Sequence, residues 1–218
     1  MDEIGSRDVE PAGESDNSLG RLLALSDGVF AISMTLLALD LRVPDLATPD
    51  NASLAQALVT LVPNFLSYAV SFYVIASYWL CHRQLMRSVT SSHPQLLSRT
   101  LPLLLMVAVL PFPASLLGHY GREPIALAVY GVVNAVIVVL LLRLRHLIDT
   151  RGLVTSTPKD RDRMVWPLVG NLVVFLLCIP AGWVLGSQGP WVLALLVVSD
   201  RLGAMRLWWL GRRPQAAP

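Results

Sequence analysis

RLLALSDGVFAISMTLLALDLR, residues 21–42, is the stretch of this chain that decides its fold. It is apolar over about 20 residues, the length at which an α-helix crosses the hydrocarbon core of a bilayer. One acid, Asp27, lies about 10 Å inside the start of this helix, at a rise of about 1.5 Å per residue. An ionisable side chain at such a depth is costly and requires a partner. The stretch therefore predicts a membrane-spanning helix with one special polar position.

Five more apolar stretches of similar length follow, separated by short charged segments. Only 15% of the residues are charged, whereas soluble domains carry about 25%. The third stretch contains Pro102, Pro111 and Pro113, so we expect it to bend. The sequence thus predicts an all-α integral membrane protein with six transmembrane helices, which are Arg21–Leu41, Leu61–Leu80, Leu101–Leu117, Pro124–Leu142, Met164–Leu185 and Pro190–Leu210.

The charged connections alternate along the chain. The first and third connections contribute only Arg42 and Arg122 as basic residues. The second and fourth connections and the C-terminal end are rich in arginine: Arg83, Arg87, Arg99, Arg143, Arg145, Arg151, Arg161, Arg163, Arg206, Arg212 and Arg213. Because basic loops remain on the cytoplasmic side, we expect both termini in the cytoplasm.

Three segments describe the domain organisation. Residues 1–18 are polar and acidic without a basic start, and we expect a disordered cytoplasmic tail there. Residues 19–211 form the six-helix transmembrane domain, and residues 212–218 form a short cytoplasmic tail. Between the first two spans, Asn51–Thr60 is compatible with a short interfacial helix that stops near Pro63.

A stripe of mainly aliphatic residues runs along the first helix. At about 100° per residue, one side carries Leu25, Gly28, Val29, Ile32, Thr35, Leu36 and Leu39. Asp27 points away from this stripe, toward other helices. The stripe either faces lipid, as in an ordinary membrane helix, or faces a symmetry axis and lines a narrow apolar pore. The pattern alone leaves both possibilities open.

Partners for Asp27 are available on the second span, which runs in the opposite direction. Trp79 and His82 lie at a similar depth on the cytoplasmic side, and the indole N–H and the imidazole both suit a carboxylate. Together with Arg21 and Ser26, these residues form a plausible polar network that clamps the two helices. The simpler interpretations are a solvated interfacial histidine and an ordinary interfacial tryptophan.

The run Arg21-x-x-x-Leu25-Ser26-Asp27-Gly28, continuing to Thr35-Leu36-Leu37-x-Leu39, resembles the opening signature of the transmembrane protein 175 family of potassium channels. Trp79-x-x-His82 is similar to the motif on that family's second helix, and the six-helix layout agrees. One departure is Leu25, which stands where the family usually has phenylalanine.

This resemblance implies a homotetramer with the first helix of each copy lining a central pore. The matching positions imply a hydrophobic constriction at Ile32, Leu36 and Leu39, with Thr35 beside it and associated with selectivity. The network of Arg21, Ser26, Asp27, Trp79 and His82 is structural in the family. K⁺ is then the permeant ion, and neither a cofactor, a fixed metal site nor a nucleic-acid partner is expected.

Three other functions compete with a channel. A small secondary transporter would use Asp27 as an ion- or proton-coupling site, although the two halves show no convincing internal repeat. An intramembrane enzyme finds no support, because the chain has no H-E-x-x-H, no G-x-S-x-G and no paired acids on one span. A membrane scaffold requires no chemistry, so the sequence is compatible with it.

Overall fold

The first helix is longer than its apolar segment. In the computed structural model, which describes residues 12–46, 50–87, 89, 94–151, 169–177, 180 and 183, helix α1 spans Ala12–Leu36 and is continued by a 3₁₀ turn, Leu37–Asp40. It therefore begins within the segment 1–18 for which the sequence predicts disorder. An apolar pattern marks only the membrane-embedded part of a helix, and its extension into water carries no such signal.

Helix α2, Asn51–Thr60, confirms the short helix between the first two spans. Its start is set by Asp50, whose side chain accepts a 2.6 Å hydrogen bond from the backbone N–H of Ser53, as an N-cap residue does. This hydrogen bond also holds the pKa of the exposed Asp50 carboxyl below its usual value. Helix α3, Val62–Arg87, follows almost directly.

The third predicted span, for which the prolines predict a bend, consists of two consecutive helices. Helix α4, Pro94–Val109, contains Pro102 without breaking, and helix α5, Pro111–Tyr120, begins after a one-residue turn at Leu110. Pro111 and Pro113 lack the N–H groups that would bond back to the last turn of α4. The helix therefore restarts at Pro111, a position where a missing N–H costs little.

Helix α6, Pro124–Thr150, is the fourth long apolar helix. The stretches Ser18–Asp40, Val62–Arg87, Gln95–Tyr120 and Pro124–Thr150 are long and apolar enough to cross a membrane, which agrees with the first four predicted spans. Residues 169–177 are helical within the predicted fifth span. The remainder of that span, apart from Pro180 and Trp183, and the whole sixth span, Pro190–Leu210, lie outside the described residues.

The core forms where α3 packs on α1 and α5, and where α4 and α6 pack on each other. Large side chains such as Ile75, Tyr78 and Tyr130 are completely buried there. A row of polar groups crosses this core. The Tyr78 hydroxyl donates to Asn134 Oδ1 at 3.0 Å, and Ser71 Oγ donates to the Tyr130 hydroxyl at 3.2 Å. Since buried polar groups require partners, these bonds fix the register between α3 and α6.

Candidate functional site

The predicted stripe on α1 is exposed in the protomer. Leu25 is 48% exposed, Ile32 59%, Leu36 42% and Leu39 62%. A β-carbon at Gly28 would have no neighbouring atom within 4 Å among the described residues. The described helices therefore leave this side of α1 uncovered along most of its membrane-spanning length.

The 3₁₀ turn aligns the C-terminal end of this stripe. Side chains three residues apart eclipse one another in a 3₁₀ helix, so Leu36 and Leu39 point in nearly the same direction across Leu37–Asp40. An α-helix would turn Leu39 about 60° away from Leu36. Thr35 lies on the same exposed side, and its hydroxyl donates a 2.9 Å hydrogen bond to the Ile32 carbonyl.

The opposite side of α1 is buried against the other helices. It carries residues at helical spacing, which are Leu22, Ser26, Phe30, Ser33 and Leu37. The Ser26 hydroxyl donates to the Leu22 carbonyl and the Ser33 hydroxyl to the Val29 carbonyl, both at 2.8 Å. Because both hydroxyls are satisfied within their own helix, this side contacts its neighbours mainly through apolar groups.

Asp27 and Trp79 are joined directly. The indole N–H of Trp79 donates a 2.7 Å hydrogen bond to Asp27 Oδ1, which links α1 to the C-terminal part of α3. Above the indole ring, the Arg83 guanidinium lies 5.1 Å from the ring centroid, at a distance typical of a cation–π contact. The sequence analysis counted Arg83 among the basic residues of the second connection and did not place it beside Trp79, although the i, i+4 spacing was a usable signal.

The remaining residues of the predicted network are placed separately. Ser26 bonds only within α1, and Arg21 is exposed and forms no ion pair within the described ranges. His82 is fully buried, with its ring centroid 5.7 Å from that of Phe30. Its Nε2 atom has no hydrogen-bond partner among the described atoms. Only one polar bond of the predicted set therefore joins α1 to α3 in this part of the chain.

A second polar pair lies at the other end of α1, and the sequence analysis missed it. Asp40 Oδ2 lies 3.5 Å from His119 Nδ1 near the end of α5. The pair borders a cavity of about 480 Å³ whose wall also includes Leu36, Leu39, Arg42 and Tyr68. Asp40 and His119 are 79 positions apart, and no local pattern relates them. Among the described residues, no group of three or more His, Cys, Asp or Glu side chains could hold a metal ion.

This chain is similar to proteins that are known as potassium channels. The family model described as endosomal/lysosomal potassium channel TMEM175 matches residues 21–111. A potassium channel of Streptomyces collinus is 35% identical over 185 residues, which cover 79% of this chain and 89% of that protein. A potassium channel of Chamaesiphon minutus is 34% identical over 159 residues, covering 72% and 77% of the two chains.

A solved structure is similar as well. It is the crystal structure of a lysosomal potassium-selective channel TMEM175 homolog from Chamaesiphon minutus, which superposes with a TM-score of 0.72 at 26% identity. The match covers 87% of this chain and 98% of that one.

Proposed function

This chain belongs to the TMEM175 family of potassium channels, and we propose that it conducts K⁺ across the bacterial inner membrane through a hydrophobic constriction at the axis of a homotetramer. The family is one of ion channels rather than enzymes. The proposed orientation has six spans and places both termini in the cytoplasm.

The observation that carries the proposal is the uncovered stripe of α1. Ile32, Leu36 and Leu39 are exposed, whereas the opposite side of the same helix is buried. One protomer does not enclose a path for ions with a single helix face. Four copies related by a central axis would bring four such faces together, and each residue of the stripe would then form a ring.

Rings of aliphatic side chains favour K⁺ for a physical reason. They offer no oxygen ligands, unlike the carbonyl filters of other potassium channels, so an ion passes only by retaining part of its water shell or by losing it at a cost. K⁺ holds its water less tightly than Na⁺, and the barrier is accordingly lower for K⁺. The expected selectivity is modest, and dewetting of the same rings would close the pore.

Thr35 is the polar exception on this stripe. Its hydroxyl proton is engaged by the Ile32 carbonyl, so its oxygen can act as an acceptor toward a passing cation. Positioned between Ile32 and Leu36 along the helix, it would offer a partly dehydrated ion one oxygen per protomer. This provides a reason for the association of Thr35 with selectivity.

The buried side of α1 and the Asp27–Trp79 bond support this pore helix. A constriction discriminates between ions only if its side chains are held in place. Phe30 and Leu37 anchor the middle and outer parts of α1 in the core, and the hydrogen bond to Trp79 anchors the cytoplasmic part. We assign these residues a structural role rather than an ion-coupling role.

Flux measurements on purified protein in liposomes test the proposal. We expect flux that prefers K⁺ to Na⁺, and we expect Ile32→Asn to reduce this preference because an amide dipole replaces part of the apolar ring. Ile125→Asn is the matched control, since Ile125 is 66% exposed in the first turn of α6, away from the stripe. Cross-linking of the same preparation should yield species up to four copies.

Two outcomes would contradict the proposal. One is the absence of flux for either ion, under an applied voltage, from a well-folded oligomer. The other is an equal loss of preference in the Ile32 and Ile125 variants, because the constriction would then not lie on the first helix.

A further inference from the structure

The cavity beside Asp40 lies at the ends of three membrane-spanning stretches. The first stretch ends at Asp40, the second begins at Val62 and the third ends at Tyr120. Asp40, Leu61 and His119, which lie at or next to these three ends, all line the cavity. The ends of membrane-spanning helices lie at the level of the lipid head groups. The volume of about 480 Å³ falls within the range of sites that take small molecules.

The charged and the apolar groups of the wall lie at different depths in the membrane. Asp40, Arg42 and His119 are within two residues of the ends of their stretches. Leu36 and Phe112 lie deeper, about 6 Å and about 12 Å from those ends at a rise of about 1.5 Å per residue. A phospholipid has the same order, with a charged head group at the surface and acyl chains below it. The wall therefore suits an amphiphile that enters from the bilayer.

Arg42 supplies the positive charge of this cavity. Its Nε atom donates a 3.1 Å hydrogen bond to the Leu39 carbonyl, which fixes the position of the guanidinium group. The side chain is exposed and forms no ion pair with any described residue. A guanidinium group binds a phosphate through two parallel N–H donors. Arg42 is therefore placed to hold a phosphate at the mouth of the cavity.

Asp40 supplies a negative charge two residues away. Its Oδ2 atom lies 3.5 Å from His119 Nδ1, and its side chain is 35% exposed, so the carboxylate can accept further hydrogen bonds. The rings of Tyr68 and Phe112 belong to the same wall, and aromatic faces attract ammonium groups. This side of the cavity suits an ammonium group, whereas Asp40 repels a head group that carries only negative charge.

We propose that this cavity binds one zwitterionic phospholipid of the phosphatidylethanolamine type, with its phosphate at Arg42 and its primary ammonium group at Asp40. The acyl chains pass Phe112 into the hydrocarbon region. A primary ammonium group donates hydrogen bonds to a carboxylate, which the quaternary ammonium group of phosphatidylcholine cannot do. The bound lipid joins the segment after α1 to α5 and adds a contact that holds the turn carrying Leu39.

Native mass spectrometry of the purified, delipidated protein in detergent tests this inference. The protein is titrated with phosphatidylethanolamine, phosphatidylglycerol or phosphatidylcholine with the same acyl chains. We expect phosphatidylethanolamine to saturate at one molecule per protomer. It should bind about two- to fivefold more tightly than either of the other lipids, because a partly exposed ion pair contributes only modestly to affinity.

Two substitutions separate the two charges. Arg42→Gln should weaken the binding of phosphatidylethanolamine and of phosphatidylglycerol by about two- to fivefold each, because both lipids contain the phosphate. Asp40→Asn should retain the phosphate contact and abolish the preference for phosphatidylethanolamine over phosphatidylglycerol. Thermal unfolding without lipid should give both variants the midpoint of the wild type, which excludes a general loss of folding.

Arg122→Gln and Asp45→Asn are the matched controls. Arg122 and Asp45 are exposed charged residues that follow the ends of the third and the first stretch, and neither lines the cavity. Both variants should bind the three lipids as the wild type does. An equal loss of affinity in Arg42→Gln and Arg122→Gln would show that the lipid is held by general surface charge, and it would overturn the inference.

Three further results would overturn the inference. One is binding of phosphatidylglycerol or phosphatidylcholine as tightly as phosphatidylethanolamine, and another is an unchanged preference in Asp40→Asn. The third is binding of glycerophosphoethanolamine, which lacks acyl chains, as tightly as the whole lipid, because the ligand would then be a solute from water. None of these measurements involves ion flux, so failure of lipid binding and failure of the proposed conduction are distinguished.

Discussion

The buried side of α1 carries Phe30 and Leu37, and the exposed side of the same helix carries Ile32 and Leu39. Both sides are hydrophobic, and composition does not distinguish them. In a bilayer, lipid is as apolar as a protein core, so exposure of aliphatic residues is no anomaly. What separates the two sides is attachment, since one packs within the protomer and the other is available to further copies. Substitutions on the first side should change stability, and substitutions on the second should change conduction.

The largest effect on stability should come from Phe30→Ala. In a membrane the unfolded reference state is also apolar, so mainly the cavity contributes to the cost. For a void of roughly 100 Å³ at about 24 cal/mol per Å³, the expected loss is about 2 kcal/mol. Thermal unfolding of the purified protein in detergent should show it as a lower midpoint.

Ile32→Ala is the control for this comparison, since it shortens an exposed side chain on the same helix. We expect it to change the free energy of unfolding of the protomer by less than about 0.5 kcal/mol. Equal destabilisation by both substitutions would show that the two sides of α1 are not distinct in the way described here.

Much of this comparison could be predicted from the sequence. The periodicity of residues 25–39 placed Ile32 and Leu36 on one side of a helix, and the structure shows both side chains exposed. The same periodicity did not show whether this side faces lipid, a pore or a partner subunit, because apolar side chains suit all three surroundings. The extent of the helices was also underestimated. Helix α3 continues to Arg87 rather than ending near Leu80, since a charged helix end in water carries no hydropathy signal.

The polar contacts were less accessible to sequence reasoning. The first two spans are antiparallel, and counting residues along them placed Trp79 and His82 at a depth similar to that of Asp27. This count did not show which of the two side chains bonds to Asp27. The structure shows the indole bonded to Asp27 and the imidazole ring of His82 lying tilted beside the ring of Phe30. Trp79 and His82 are about one helical turn apart. Because the ends of the spans were predicted only to within a few residues, the sequence could not decide between two positions this close. Asp40 and His119 meet only through the packing of α5 against the 3₁₀ turn.

Substitutions that remove the hydrogen bond between α1 and α3 should lower the stability by less than Phe30→Ala does. Trp79→Phe retains most of the ring but removes the donor to Asp27, and we expect a loss of about 1 kcal/mol in stability. Asp27→Asn retains a carbonyl acceptor for the same indole and should lose less than Trp79→Phe. Thermal unfolding of the two variants measures the difference.

The same pair of variants separates a structural acid from a coupling acid. If Asp27 only supports α1, then Asp27→Asn should retain K⁺ flux in proportion to the amount of folded oligomer. Complete loss of flux from an intact oligomer would instead favour the transporter, in which the charge of Asp27 is needed for the transport cycle.

Ser33→Ala, on the buried side of α1, should change the unfolding free energy least. Within the described part of the chain, the Ser33 hydroxyl donates to the Val29 carbonyl of the same helix and to no other group. Bonds of this kind slightly destabilise or bend helices. Alanine also has the higher helix propensity, so the change in unfolding free energy should stay within about 0.5 kcal/mol.

Ser67→Ala is the informative contrast, because the Ser67 hydroxyl donates across helices to the Ala114 carbonyl at 2.7 Å. Its loss should cost about 1 kcal/mol, measured by the same thermal unfolding. A cost at Ser33 as large as that at Ser67 would mean that its hydroxyl also bonds to a neighbouring helix, so that α1 is held to the protomer by polar as well as apolar contacts.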